Sequence, residues 1–144
     1  MSTTVRQILA RKPDVFFVNP ATTVLNALKV MADHNIGAVL ILDGDEIAGI
    51  FSERDYARKV VLHGRSSRDV PVREVMTSPV VCADPNWTAH ECMALMTQRH
   101  IRHLPVVEQG RLLGVISIGD IVSAVVSEQT ITIRSLEHYI SSGA

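Results

Sequence analysis

The sequence predicts an α/β (α+β) fold made of two similar halves, and three observations lead to this prediction. Apolar residues make up 47% of the 144 residues but aromatic residues only 4%, so aliphatic side chains must fill the core. Short apolar runs alternate with segments of helical apolar spacing. The stretch GIFSERDY at 49–56 has the same pattern as GVISIGDI at 114–121. A chain of this length suits one compact domain or two small halves that share a core.

An internal repeat explains the shared pattern. With the chain aligned to itself at a shift of 65 residues, Pro20 matches Pro85 and Gly49 matches Gly114. There is no gap between these positions, and the intervening residues match in kind. The further identities pair Thr23 with Thr88, Met31 with Met96, Ile36 with Ile101, Ser52 with Ser117 and Asp55 with Asp120. A repeat at a fixed shift indicates one structural unit that occurs twice.

Each half predicts the same elements in the same order. A turn with proline leads to a helix that Thr23 or Thr88 caps, because a hydroxyl oxygen there accepts from an otherwise unpaired backbone N–H. A hairpin follows, with strands at 38–42 and 47–51 in the first half and at 104–107 and 112–116 in the second. Continuous apolar runs predict strands buried on both faces. A second helix begins at each Ser-x-x-Asp.

The predicted domain organisation follows from the repeat. One unit covers 1–62, a polar linker covers 63–71, and the other unit covers 72–126. Each half is too small to bury its apolar surface alone, so the two halves are expected to pack together. A helical tail at 127–144 carries Ile131, Leu136, Tyr139 and Ile140. This tail either closes an edge of the module or lines a dimer contact.

Composition and charge exclude several classes of partner. The net charge of −1 provides no field for nucleic acid, and the longest apolar run, at 38–42, is too short to span a bilayer. The N-terminus lacks the apolar segment of a secretory signal. Cys82 and Cys92 form no paired framework and are interpreted as reduced thiols. We therefore expect a cytoplasmic protein with no nucleic-acid and no membrane partner.

The Ser-x-x-Asp motif lies where a strand ends and a helix begins, a position that favours anions. A hydroxyl and a carboxylate there suit the vicinal hydroxyls of a ribose. The preceding glycine would let a flat ring approach the strand, and Arg54 would meet a phosphate with its planar fork. The alternative is a capping box that needs no ligand. For Arg54 the alternative is a surface ion pair.

The repeated proline–helix unit, hairpin and G-h-h-[S/T]-x-x-D motif resemble a pair of CBS domains, the Bateman module. The resemblance extends from about Val5 to Val126. It implies two pseudo-two-fold related CBS units of βαββα type, each a small sheet packed with two helices. It also implies a cleft for adenosine-containing ligands such as AMP, ADP, ATP, NAD(H) or S-adenosylmethionine, and a homodimer. Such modules regulate a fused enzyme or transporter, and here an unidentified regulated protein is expected.

The resemblance also implies roles for individual residues. Asp55 and Asp120 would bind ribose hydroxyls, with Ser52 and Ser117 near the ribose or phosphate. The first short strand of each half would recognise adenine, and the residues assigned to it are Val15, Phe16, Val80 and Val81.

Phosphate contacts are implied just before the first long strand, where the second half has Arg102 and His103 and the first half has Gly37 and Ala38. The two clefts are therefore expected to differ. The second half would place cations beside the ligand, and the first half would leave more space for it. Lys12 is a further phosphate candidate. A solvated loop pair is the alternative for Arg102 and His103.

Other chemistry finds little support in the sequence. The HIRH stretch at 100–103, with His34 and His90, lacks the convergent third and fourth ligands of a zinc site, so no metal site is expected. There is no G-x-S-x-G, Walker or G-x-G-x-x-G motif, so neither catalysis nor a catalytic cofactor is expected.

The sequence therefore predicts a non-catalytic regulatory module that binds AMP, ATP or NAD(H) in clefts between two CBS units and senses energy or redox state. The alternative is a structural or protein-docking dimer without a physiological nucleotide. A small nucleotide hydrolase is a third, weaker hypothesis.

Overall fold

The computed structural model describes residues 2–12 and 14–143, without the side chains of 131, 132, 135, 139 and 141–143. The side chains of Ile131 and Tyr139, named in the predicted tail, thus lie outside the description. The helices are α1 (Val5–Leu9), α2 (Val24–Asp33), α3 (Glu53–Asp55), α4 (Ala89–Arg99) and α5 (Ile118–Gly143). The strands are β1 (Phe17–Val18), β2 (Ala38–Asp43), β3 (Glu46–Ser52), β4 (His103–Glu108) and β5 (Arg111–Ser117). The predicted α+β class is confirmed.

Each half builds its sheet around one hairpin. In the first, β2 pairs antiparallel with β3 and parallel with β1. In the second, β4 pairs antiparallel with β5, and a single bridge between Ala83 and Val106 stands where β1 would be. Ala38 lies opposite Ser52, and His103 lies opposite Ser117. The serine of each motif therefore occupies the same register position.

The compact units of the chain differ from its sequence repeats. The first-repeat unit is Val15–Val81, and the second-repeat unit consists of the described parts of Met1–Asp14 and Cys82–Ala144. The leading segment of each repeat is thus exchanged: α1 belongs with the second repeat, and the 3₁₀ turn Val72–Glu74 belongs with the first. The boundaries 1–62 and 72–126 stay a prediction for the sequence repeats.

Backbone hydrogen bonds anchor α1 within the second-repeat unit. Val5 N donates to Trp87 O at 2.8 Å, and Arg6 N donates to Pro85 O at 2.9 Å. The Arg6 guanidinium also forms an ion pair with Glu108. Thr4 and Gln7 also form a capping box, which stabilises the first turn of α1.

The segment after the 3₁₀ turn is anchored in the same way within the first-repeat unit. Thr77 N donates to Ile50 O at 2.8 Å, and Ile50 N donates to Thr77 O at 3.0 Å. Thr77 therefore lies against β3, the strand that carries the first motif.

The motif glycines leave room for these exchanged segments. A Cβ on Gly49 would lie 2.5 Å from Met76 Sδ and 3.0 Å from the Thr77 carbonyl oxygen. A Cβ on Gly114 would lie 2.7 Å from Leu9 Cδ2. The position that a Cβ would take at each glycine is therefore already filled by protein atoms. The approach of a flat ring to the strand stays a prediction.

Aliphatic side chains fill both cores, as predicted. In the first-repeat unit the buried cluster consists of Val18, Val24, Ala27, Met31, Val39, Ile41, Phe51, Val60, Val70, Val72 and Val75. In the second-repeat unit the buried residues include Val5, Ala89, Cys92, Met96, Leu104, Val106, Ile116 and Ile121. Burial on both faces is confirmed for 38–41 and 104–106, but β3 and β5 alternate between buried and partly exposed residues.

Three predicted elements need correction. The second helix of the first half is α-helical only over α3 and continues as a π-helix, Tyr56–Val61. The predicted tail is no separate element, because α5 runs through it without a break. Val15 and Phe16 precede β1, and Val80 and Val81 lie outside any strand. The adenine candidates therefore lie about two residues before the strand or bridge of their own half.

Among the described residues, none of the helices combines the length and apolar character needed to cross a membrane.

Alanine substitution of the motif glycines should destabilise the fold. We expect Gly49→Ala to cost about 2–3 kcal/mol and Gly114→Ala about 1–2 kcal/mol, because overpacking forces neighbours to shift and only Gly49 faces a backbone oxygen. Urea unfolding measures both. Gly119→Ala is the control, since its Cβ would meet only Ser117 Oγ at an ordinary 3.6 Å. Equal stability of all three variants would contradict the packing argument.

Candidate functional site

Both Ser-x-x-Asp motifs fold into the same local arrangement. Asp55 N and Asp120 N donate to their serine hydroxyls, each at 3.2 Å. In return, Ser52 N and Ser117 N donate to their aspartate Oδ2 atoms at 2.9 and 2.8 Å. The capping box considered from the sequence is therefore present twice. It stabilises the helix start and by itself says nothing about a ligand.

The Asp55 carboxylate is saturated by protein donors. Its Oδ2 accepts from both Ser52 N and Ser52 Oγ, the latter at 3.0 Å. Its Oδ1 accepts from Thr77 Oγ1 at 2.9 Å and lies 3.1 Å from Lys59 Nζ. The side chain is only 10% exposed. With both oxygens engaged and little surface, Asp55 has the contacts of a structural residue.

The Asp120 carboxylate is more open. Its Oδ2 accepts from Ser117 N and from Lys12 Nζ at 2.7 Å, while Oδ1 accepts from no other residue in the part of the chain described. The side chain is 26% exposed. Lys12 is held in place by a second bond, from Nζ to Val115 O at 2.8 Å. Asp120 thus keeps one oxygen for a hydroxyl donor.

The pKa of Asp120 is lowered. Burial alone would raise this pKa, but the hydrogen bonds from Lys12 and from the backbone and side chain of Ser117, together with the charge of Lys12, outweigh burial. Asp120 is therefore ionised at neutral pH. An ionised carboxylate accepts hydrogen bonds only, which suits it to hydroxyl donors.

His103 is the cross-strand partner of Ser117, so its side chain lies on the same face of the sheet. Burial lowers the pKa of His103, and the charges of Lys12 and Arg102 lower it further, against the opposing charge of Asp120. His103 is therefore uncharged at neutral pH, unlike the cation expected from the sequence. Lys12 is the positive group in contact with Asp120, and Arg102 lies close enough to His103 to lower its pKa.

The predicted site residues separate into two groups. Lys12, Arg102, His103, Ser117 and Asp120 come together in the second-repeat unit, where Ile118 N also donates to Arg102 O at 2.8 Å. Ser52 and Asp55 come together in the first-repeat unit, with Arg54 exposed on α3.

One of the residues predicted to recognise adenine, Phe16, already has a ring packed against it. Phe16 stacks on His34 with ring centroids 3.7 Å apart and 16° between the planes. That face of Phe16 is covered by the imidazole and is not open to a base. The roles assigned to Val15, Val80 and Val81 stay predictions.

Sequence reasoning missed Thr77 and Lys59 as partners of Asp55. Lys59 carried a local signal, since it lies four residues after Asp55 on one helical segment. Thr77 carried no local signal.

A cavity of about 360 Å³ opens on the first-repeat unit. It is lined by Leu28, Met31, Ala32, Asn35, Ile36, Gly37 and Glu53. Gly37 is among the lining residues, but neither Ser52 nor Asp55 lines the cavity. The expected room for a ligand beside Gly37 and Ala38 stays a prediction.

The thiols and the metal-ligating side chains form no further site in the described part of the chain. Burial raises the pKa of Cys92 to about 11, with a smaller effect from Glu91, and burial also raises the pKa of Cys82. Both thiols are protonated at neutral pH. Within residues 2–12 and 14–143, no three His, Cys, Asp or Glu side chains converge as a metal site would require.

Removal of the two carboxylates should have unequal effects on stability. We expect Asp55→Ala to cost about 2–3 kcal/mol, because Thr77, Lys59 and Ser52 N all lose a charged acceptor. Asp120→Ala should cost about 1 kcal/mol, the usual loss for a helix cap. Denaturant unfolding of both variants compares the losses. A larger loss for Asp120→Ala would contradict the assignment of Asp55 as the structural carboxylate.

Stability should also depend on pH through His103. Because the folded-state pKa lies below the usual 6.5, the unfolded chain binds the proton first as the pH falls. The free energy of unfolding should therefore decrease between pH 7 and 5.5. The Asp120 contribution is lost only at lower pH, as the pH falls through its lowered pKa. His103→Gln should flatten the curve, and parallel curves for the two proteins would contradict this prediction.

The match to a known protein family falls on the two sequence repeats. The sequence model of the CBS domain family matches residues 5–62 and 72–127. The CBS domain-containing protein CBSX3, mitochondrial, of Arabidopsis thaliana is 40% identical over 126 residues, which cover 84% of this chain and 61% of that protein. The chain thus spans less than two thirds of this curated relative.

Solved structures agree with the family match. A CBS-domain protein of Burkholderia ambifaria, provisionally assigned to signal transduction, has a TM-score of 0.85 and 51% identity. The similarity covers 88% of this chain and 96% of that one. A hexameric CBS-CP12 protein of bloom-forming cyanobacteria has a TM-score of 0.76 and 28% identity, over 85% and 71% of the two chains. The chain belongs to the CBS domain family and carries two CBS domains in tandem.

Proposed function

We propose that this chain is a non-catalytic regulatory module that binds an adenosine-containing nucleotide at Asp120. The observation that carries the proposal is the open Oδ1 of an ionised carboxylate with the Lys12 ammonium beside it. The ribose hydroxyls donate to Asp120, and Lys12 and Arg102 attract the phosphate. AMP, ATP and NAD(H) all combine these two features.

Asp55 and Asp120 contribute unequally in this proposal. Asp55 already accepts from three protein groups and pairs with Lys59, so a ribose would have to displace several partners there. We therefore propose one nucleotide per chain, bound at Asp120. Ser52 then serves the fold of the first motif, where its hydroxyl and backbone N–H both bond to Asp55.

The regulatory role follows from differential affinity. A nucleotide changes the module only to the extent that it binds one conformation more tightly than another. A homodimer, a cytoplasmic location and a regulated partner protein belong to the same proposal. Family membership supports the general role in regulation.

A protein-docking dimer without a nucleotide is the second hypothesis. The complete capping boxes favour it, because Ser-x-x-Asp already has a structural function in both units. Under this hypothesis Asp120 contributes only to the start of α5.

Isothermal titration calorimetry with AMP, ADP, ATP, NAD⁺ and NADH separates the two hypotheses. We expect micromolar binding of at least one ligand, about −8 kcal/mol, at one site per chain. Asp120→Asn should remove the binding. Asp55→Asn should retain it at a temperature at which this variant is folded. No heat and no thermal stabilisation with any ligand would overturn the nucleotide hypothesis. Product formation would overturn the non-catalytic assignment.

A further inference from the structure

The last helix makes its final described hydrogen bonds to other elements at Glu128. The Glu128 carboxylate accepts from Thr3 N, and it lies 2.9 Å from His90 Nε2 on α4. Every side chain that the structure describes on 129–140 is exposed. The sequence left two roles open for this tail, closing an edge of the module or lining a dimer contact. Its described side chains cover no edge, so contact with a second copy is the role that remains.

An apolar stripe runs along the exposed side of α5. Its aliphatic members expose between 47% and 69% of their surface. Successive positions of the stripe are four, three, four, three and four residues apart, and they are Val122, Val126, Gln129, Ile133, Leu136 and Ile140. Alternating steps of four and three are the d and a positions of a coiled-coil heptad. The stripe therefore has the pattern of a helix that pairs with another helix.

We propose that α5 pairs with α5 of a second copy as a parallel two-stranded coiled coil. This inference rests on the proposed function, which includes a homodimer, and it adds the surface that forms the pair. The β-branched Val126, Ile133 and Ile140 fall at a, and Leu136 falls at d. This choice of residues favours two parallel strands. The CBS family model ends at residue 127, so most of the stripe lies beyond the two CBS domains.

Gln129 sets the orientation of the pair. In a parallel pair in register, identical positions face each other, so the two Gln129 amides can donate to and accept from one another. In the antiparallel pair that aligns both stripes, Gln129 would face Ile140, and its amide would be left against an aliphatic side chain. A second copy thus supplies the polar partner that a uniformly apolar surface lacks.

Charge does not oppose the pairing. The charged residues described on 129–140 are Arg134, Glu137 and, when protonated, His138. All three lie outside the a and d positions, so no charge is buried at the centre of the contact.

The length of the stripe limits the strength of the pair. From Val122 to Ile140 the helix rises about 27 Å, or about two and a half heptads. The positions that face a partner over this length make up about half of the roughly 20–30 residues per side in a standard interface. We therefore expect a reversible dimer that depends on concentration. An exposed helical segment of this length is marginal alone in water, so pairing also stabilises it.

Sedimentation equilibrium of the full chain measures the pairing in the wild type, Leu136→Glu and His138→Glu. Both substitutions place a glutamate in the same turn of α5 at an exposed position, one within the stripe and one on the opposite side. Leu136→Glu should weaken dimerisation by more than about tenfold, because two carboxylates would face each other in the contact. His138→Glu should leave the dissociation constant unchanged within about twofold. Circular dichroism checks that each variant is folded.

A cysteine at position 140 tests the parallel orientation. The two residues at this position face each other in the proposed pair, so Ile140→Cys should form a disulfide between copies on mild oxidation. An antiparallel pair would separate the two cysteines by about 16 Å along the helix, and this disulfide would not form. His138→Cys is the control, and the wild type measures the background from Cys82 and Cys92. Equal cross-linking of the two variants would overturn the parallel pair.

The outcomes separate this inference from the proposed function. A wild-type dimer that Leu136→Glu leaves intact would overturn the α5 contact, and the homodimer of the proposed function would then use another surface. A monomeric wild type at every concentration would overturn the contact and the homodimer together, while calorimetry with AMP tests nucleotide binding independently. A monomeric wild type that floats with phosphatidylcholine–phosphatidylglycerol vesicles would assign the stripe to lipid and overturn the pairing. AMP binding by Leu136→Glu should equal that of the wild type.

Discussion

The packing of a leading segment over a strand glycine is the contact on which both sites depend. Leu9 lies over Gly114 in the second-repeat unit, and Met76 lies over Gly49 in the first-repeat unit. The chain continues from each contact past the adjacent Ser-x-x-Asp. Lys12 thereby reaches Asp120, and Thr77 reaches Asp55. A steric requirement of the fold thus selects which residue faces each carboxylate.

The two carboxylates differ because their neighbours differ. Both motifs form the same capping box, and both aspartates pair with a lysine. Asp55 accepts hydrogen bonds from two hydroxyl groups and is almost buried, which suits a structural role. Asp120 has fewer donors and more solvent, which suits a ligand. Duplication allows this division, since one copy of a motif can stabilise the fold while the other keeps an oxygen free.

The sequence predicted the repeat, the α+β class, the hairpins and the hydroxyl caps, because these depend on local pattern and spacing. It did not predict the exchange of leading segments, since a repeat does not show which half a segment packs against. The sequence also did not predict the hydrogen bond from Thr77 to Asp55, because the two residues are 22 positions apart and only the fold brings them together. The neutral state of His103 depends on burial and on Lys12, which only the folded chain brings near.

An amide NMR titration with AMP tests the division between the two carboxylates most directly. The backbone N–H groups of Asp55 and Asp120 both donate to a serine hydroxyl, so they are matched reporters. At saturating AMP, the amide signals of His103, Ser117 and Asp120 should shift, while those of Ser52 and Asp55 stay in place. Equal shifts at both motifs, or shifts at Asp55 alone, would contradict the account.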